Sequence, residues 1–138
     1  MSIRPPAVAG MFYEGSPDRL RAQVDACFRA NPPAREPKSR FLGAVAPHAG
    51  LMYSGHVAAA FYASAEIPKK LIILCPNHTG FGHFAAINRE GAWRTPLGDV
   101  AIDTALADAL MAKTRLLSED TRAHAREHSL EVQLPFLQ

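Results

Sequence analysis

One pattern occurs twice in this chain and limits the folds open to it. Ala44-Val45-Ala46-Pro47-His48-Ala49-Gly50 ends one apolar run, and Leu71-Ile72-Ile73-Leu74-Cys75-Pro76-Asn77-His78-Thr79-Gly80 ends another. Each reads as a buried strand, then proline, then histidine, then a small residue and glycine. Phe41 to Ala46 is the first predicted strand and Leu71 to Cys75 the second. Both are continuously apolar, as strands covered on both faces are. Between them a helix is expected from Ser54 or Gly55 to about Ala63, with Ala58, Ala59 and Ala60 small enough for close packing. Strand, helix and strand in this order make a parallel, right-handed βαβ unit. The fold class expected is therefore α/β, with a mainly parallel sheet flanked by helices.

The rest of the chain is punctuated clearly. Residues 1–15 are irregular, with Pro5, Pro6, Gly10 and Gly15. Ser16-Pro17-Asp18 is a helix start, with Ser as cap, Pro in the first position and an acid in the first turn. Leu20, Val24, Cys27 and Phe28 then recur at helical spacing. Asn31-Pro32-Pro33 stops that helix, and a Pro-rich, charged linker runs to Ser39. Phe84 to Asn88 and Ala92 to Thr95 read as short strands joined in a hairpin through Arg89-Glu90-Gly91. Thr95 to Asp99 is a loop. A helix enters at Ile102-Asp103 and runs to about Lys113, with Leu106, Leu110 and Met111 on its apolar side. The closing segment, Ser129 to Gln138, is amphipathic and should dock on something. It ends without a cap or polar tail, which reads as a single domain over 1–138 truncated at its C-terminus.

Composition narrows the function classes. A 138-residue chain that is 48% hydrophobic can bury one core. With a formal charge of +2 and no run of Lys or Arg, it gives no electrostatic case for nucleic acid. No apolar run approaches the roughly 20 residues that span a bilayer, and the opening Met-Ser-Ile-Arg-Pro-Pro has no signal-peptide core. Two cysteines, Cys27 and Cys75, make no disulfide framework, so a reduced, cytoplasmic setting is expected.

In an open α/β sheet, strands that finish on one edge deliver their last residues into one crevice. His48 and His78 are therefore candidate ligands of one metal ion, or acid–base groups on one substrate. The plainer alternative is two histidines that hydrogen-bond loops at a sheet edge. His124 and His128 lie four apart and would share a face of a helix. They lack the Glu that follows the first histidine in a zincin helix. His124 is placed in a solvated turn. His128, beside Glu127, is a candidate catalytic acid–base group or a residue supporting the ligands. His56 and His83 read as cap or surface groups, Cys27 as core and Cys75 as a small buried hydrophobe. Tyr53, Trp93 and Arg94 are candidates for lining a substrate pocket, although Trp93 and Arg94 suit edge packing equally. The helix amides behind Tyr53-Ser54-Gly55 are a weak candidate for holding an anion, and Asp99 is a candidate carboxylate partner.

Taken in order, these motifs resemble the Memo-like family, also called AmmeMemoRadiSam system protein B. The matching stretches are Ala9-Gly10-Met11-Phe12-Tyr13, Ala46-Pro47-His48-Ala49-Gly50 with Tyr53-Ser54-Gly55, and Cys75-Pro76-Asn77-His78. Trp93-Arg94-Thr95-Pro96-Leu97-Gly98 and Glu127-His128-Ser129-Leu130-Glu131-Val132-Gln133-Leu134-Pro135 follow. The resemblance implies a dioxygenase-like α/β fold related to the class III extradiol ring-cleavage dioxygenases, which open catechol rings with non-haem Fe(II). It implies His48 and His78 as metal ligands and His128 as a pocket histidine. It also implies that this chain is the N-terminal half of the family fold, with the third ligand in the other half, and a functional association with radical SAM and AMMECR1-like proteins. Three functions are thus carried forward. The first is a metal-dependent oxidoreductase using Fe(II) or Cu on a small-molecule ligand. The second is a non-catalytic module for a peptide or phosphorylated ligand, and the third a zinc hydrolase, with Zn the less favoured metal for want of a general-base motif.

Overall fold

Ser16, Pro17 and Asp18 start a helix where the sequence places one. In the computed structural model, which describes residues 2–31 and 38–138, strand β1 (Ile3–Arg4) is followed by helix α1 (Pro17–Arg29). Proline fixes the first turn, and Asp18 and Arg29 complement the helix dipole at either end. Ser16 has the extended backbone of a cap but makes no side-chain capping bond. Leu20, Val24 and Cys27 share the buried face. The Pro-rich linker expected after Asn31 lies, over 32–37, outside the described residues.

Helix α2 (Leu51–Ser64) begins three residues before the expected Ser54. Gly50 takes the capping position, and Leu51 donates its N–H to Phe12 O at 2.7 Å. The α2 surface that meets α1 is small by necessity. A Cβ added at Gly55 would sit 2.6 Å from Cys27 Sγ. Ala58 and Ala59 continue this buried stripe.

Strands β2 (Ala86–Ile87), β3 (Ala92–Thr95) and β4 (Gly98–Ala101) precede helix α3 (Thr104–Lys113), and β5 (Ser118–Glu119) follows it. The expected hairpin between 84–88 and 92–95 does not form. β2 instead pairs in parallel with β5, and β3 lies between β1, parallel, and β4, antiparallel. Gly91 shows why. It sits at φ +103, and a Cβ there would lie 2.3 Å from Ser2 O. The chain's N-terminus crosses at this point, and Ala92 N donates to Ser2 O. The real hairpin is β3–β4, which turns on Pro96-Leu97 with Thr95 opposite Gly98, so the loop expected over 95–99 lies inside it. Asp103 caps α3 by accepting from Leu106 N at 2.9 Å.

The central expectation is corrected. Neither Phe41–Ala46 nor Leu71–Cys75 is a strand, so the βαβ unit with its parallel sheet is absent, although its helix is present. The molecule is mixed α/β with two small sheets. Neither segment makes a backbone–backbone hydrogen bond to another described residue. Val45 is 99% exposed and Leu74 91%. A continuous apolar run becomes a two-sided buried strand only where neighbours supply both ladder partners and cover, and the described residues supply neither.

The core gathers Val8, Tyr13, Leu20, Val24, Leu51 and Val132, with Phe12, Phe28, Leu97 and Phe136 against it. Each fully buried side chain of this kind contributes about 1.5–3 kcal/mol. The amphipathic closing segment docks here. It forms a 3₁₀ turn (Glu131–Gln133) and a short helix α4 (Leu134–Leu137). Glu131, fully buried, accepts from the Arg4 guanidinium, the Tyr13 hydroxyl at 2.5 Å, and the amides of Ala7 and Val8. Burial, with that carboxylate beside it, raises the Tyr13 hydroxyl's pKa far above its ordinary value. Gln133 bridges Pro47 O and the Tyr62 hydroxyl. The closing segment therefore anchors both β1 and the loop that carries His48.

Candidate metal centre

Three loops meet beside the N-terminal end of α2. His48 lies just before Gly50, and the carbonyl of its neighbour Pro47 is held by Gln133 Nε2 at 2.9 Å. His78 follows Pro76-Asn77. Asn77 shapes that loop: its Oδ1 accepts from Gly80 N and Thr79 Oγ1, and its Nδ2 donates to Phe81 O at 2.7 Å. Gly80, at φ +68, completes the turn in a conformation that favours glycine. His128 sits in the turn between the 3₁₀ turns of Thr121–Ala123 and Glu131–Gln133, with its ring 4.6 Å from that of Phe12.

The three imidazoles cluster. Ring centroids of His78 and His128 are 4.5 Å apart and stacked, those of His48 and His78 are 5.2 Å apart, and those of His48 and His128 6.0 Å. One nitrogen from each lies within 4.8 Å of the other two. An ion held by Zn–N or similar bonds of 2.0–2.1 Å in a tetrahedral arrangement puts its donors about 3.4 Å apart. The rings would have to turn toward one another to reach that spacing; three imidazole nitrogens are a donor set that could hold a first-row divalent cation. His78 is exposed over 42% of its side chain, so the cluster opens to solvent on that side.

Glu127 organises this cluster from behind. Its side chain is 1% exposed. It accepts from His78 N at 2.6 Å, His128 N at 2.9 Å and Ser129 N at 2.8 Å, and lies 2.9 Å from His78 Nδ1. Burial alone would raise its pKa, but hydrogen bonds from Ser129 and His78 outweigh that and hold it at about 2. An ionised carboxylate only accepts, so the His78 Nδ1 that faces it carries a hydrogen, and Nε2 is the ring nitrogen turned away from Glu127. Burial lowers the pKa of His128, and the Glu127 charge opposes this only in part, which favours the neutral imidazole. Sequence reasoning named Glu127 only as a neighbour of His128. The signal available was a carboxylate directly before His-Ser, at a turn rich in free amides.

The structure places the other expected site residues elsewhere. Trp93 is buried under the Arg4 guanidinium, 4.3 Å from it, and edge-on to His124. It lines a separate cavity of ≈ 570 Å³ that does not include His48, His78 or His128. Arg94 lies on the outer face of β3, in a two-pronged pair with Asp99 that accounts for both residues. Tyr53 is exposed on α2. The amides expected to hold an anion there are partly spent, Leu51 N on Phe12 O and Tyr53 and Ser54 N on Gly50 O. His124 does not share a helix face with His128. Its carbonyl accepts from Arg4, while its ring is half-buried and lowered in pKa by burial. His56 and His83 are exposed, as expected. Cys27 is in the core, and Cys75 is half-buried, with its thiol's pKa raised chiefly by burial.

The class defined by fold and site is a mixed α/β chain with three histidines, carried on three loops, that could hold a metal ion. Its descent is more specific. The family model of the Memo-like proteins matches residues 4–138, and the chain belongs to that family. It is 48% identical to the MEMO1 family protein MK0963 of Methanopyrus kandleri, over 98% of this chain and 51% of that protein. It is 47% identical to the MEMO1 family protein MTH_45 of Methanothermobacter thermautotrophicus, over 99% and 52%. A MEMO1 family protein of Sulfurisphaera tokodaii is 46% identical, over 99% and 52%. The chain thus spans about half the length of the curated relatives it matches. No helix among the described residues is long and apolar enough to cross a membrane.

Proposed function

We propose that His48, His78 and His128 bind a first-row transition-metal ion, Fe(II) or Cu before Zn, and that this centre serves metal-dependent oxidoreductase chemistry of the extradiol-dioxygenase kind. The observation that carries the reading is the convergence of three imidazole nitrogens within 4.8 Å from three separate loops. A buried carboxylate behind His78 supports it, since metal-ligating histidines almost always donate their second nitrogen to such a partner. An all-nitrogen set suits Fe, Cu and Zn, and the ion would supply redox or Lewis-acid chemistry at the solvent-open side. His78 would hold Nε2 toward it, and Glu127 would fix that ring. His128, kept neutral by burial, would act as a third ligand or, if displaced by substrate, accept a proton. The reading as a module for a peptide or phosphorylated ligand gains no support from the spent amides of α2 or the paired Arg94.

Elemental analysis and titration with Fe(II), Cu(II) and Zn(II) test this on protein prepared without a histidine tag. Near-stoichiometric binding is expected. It should weaken about 10–100-fold or more in His78→Ala and vanish in the triple alanine variant of His48, His78 and His128. Wild-type protein that binds no more metal than the triple variant would end the reading. With metal bound, oxygen uptake on simple catechols checks the activity.

A further inference from the structure

The three histidines are not held alike. His78 and His128 are tied to one another: Glu127 accepts from both backbone amides and faces the His78 Nδ1, and the two rings stack with centroids 4.5 Å apart. No hydrogen bond among the described residues reaches the His48 ring, so its place depends on its backbone. Over 41–48 that backbone makes one hydrogen bond to the described residues, accepted by Pro47 O from Gln133 Nε2 at 2.9 Å. Proline has no N–H, so this carbonyl is the only backbone hydrogen-bonding group Pro47 offers.

Gln133 is fixed from its other end. It is 5% exposed, and its Oε1 accepts from the Tyr62 hydroxyl at 2.9 Å. A carbonyl oxygen only accepts, so the amide must turn Nε2 to Pro47 and Oε1 to the hydroxyl. Burial pushes the pKa of that hydroxyl up to about 12, which keeps it a donor. The Tyr62 ring, on α2, stacks on Phe136 of α4 with centroids 5.2 Å apart. We propose that Gln133 is a positioning residue of the metal centre: by holding the Pro47 carbonyl it sets the distance of His48 from the pair formed by His78 and His128. The proposal rests on the reading of this cluster as a metal site. Metal–imidazole bonds of about 2.0–2.1 Å leave little slack. With the Pro47 loop released, the ion meets two nitrogens in place of three.

The test uses the 138-residue chain, labelled for NMR. Gln133→Met keeps the length of the side chain and removes donor and acceptor. Tyr62→Phe removes only the hydroxyl that orients the amide. In the metal-free wild type, nuclear Overhauser contacts should join the His48 and His78 rings, and the Gln133 side-chain amide protons should exchange slowly. In Gln133→Met the His48 contacts should vanish, while those between His78 and His128 and the protection of α1 amides persist. Tyr62→Phe should weaken the His48 contacts in the same sense, by less. Zn(II) affinity should fall about 10–100-fold in Gln133→Met, as when a partner behind a ligand is removed. In a His48→Ala background the same substitution should cost almost nothing further, because its effect runs through His48. The proposal fails if His48 keeps its contacts in Gln133→Met, or if that substitution weakens Zn(II) binding equally with and without His48. It fails also if α1 protection is lost along with the contacts, which would make Gln133 a support of the fold at large. A Gln133 amide that exchanges freely in the wild type overturns it without any variant. Wild-type protein that binds no Zn(II) ends the metal reading, and the ring contacts then decide by themselves whether Gln133 places His48.

Discussion

Glu127 satisfies three backbone amides and one imidazole with two oxygens, in a place that water hardly reaches. Its folded pKa is depressed from 4.5 to about 2. The carboxylate therefore stabilises the fold fully above about pH 4.5, and that contribution is lost as pH falls toward 2. The shift corresponds to roughly 3 kcal/mol. Glu127→Gln keeps the shape but offers one acceptor oxygen where two served. Urea unfolding at pH 6 and pH 3 should show a lower stability at pH 6 and a shallower loss on acidification than wild type, and an unchanged pH slope would mean that other carboxylates dominate. The same substitution should disturb the tautomer of His78, readable from its ring ¹⁵N shifts. Histidine positions at this site were visible in the sequence, because proline and glycine around His48 and His78 mark loop ends. The partner was not visible, because a buried glutamate in a turn looks like any surface glutamate until its amide donors are located.

Close approach decides the arrangement of the helices. α1 and α2 meet where Gly55 faces Cys27, with 2.6 Å between an added Cβ and the sulfur. Gly55→Ala should gain up to about 1 kcal/mol in helix propensity but lose about 1–3 kcal/mol to overpacking. The net effect expected is destabilisation. Adding Cys27→Ala removes the obstructing sulfur and should restore part of the loss in thermal unfolding. A Gly55→Ala protein as stable as wild type would show that the helices separate freely. Helices α1 and α3 were legible because caps, first-turn acids and apolar spacing act locally. The start of α2 lies three residues before the Ser54 that the sequence suggests, since the Leu51 N–H is taken by the distant Phe12 carbonyl and Gly50 offers no capping side chain. The hairpin was misplaced for a similar reason: the partner of β3 is the distant N-terminus, and Gly91 makes room for it.

At the scale of the molecule, Arg4 and Glu131 join the first strand to the closing segment, 127 positions apart. Arg4 also donates to the carbonyls of His124 and Glu127, so it ties the N-terminus to the turn that presents His128. Removing one partner of such a buried pair typically costs about 3–5 kcal/mol. Arg4→Met should therefore lower denaturant stability by that order. The double variant with Glu131→Gln should lose less than the two single losses added together, because the stranded charge is then gone. Strict additivity would show that the two groups act independently. Glu131 also holds the amides of Ala7 and Val8, which explains why the closing segment docks on this chain's own N-terminal region.

By itself the sequence determined the helices, the loop positions of His48 and His78, the docking tendency of the last ten residues and membership of the Memo-like family. These follow from local steric preferences, capping and ordered motifs, all of which act over a few residues. Only the tertiary structure decided which strands pair, that Trp93 and Arg94 stand away from the histidines, and that Glu127 holds His78. It also decided that Phe41–Ala46 and Leu71–Cys75 are not strands here. Apolar patterning states that a segment can be buried, whereas burial itself requires a neighbour with free hydrogen-bonding groups at the right separation.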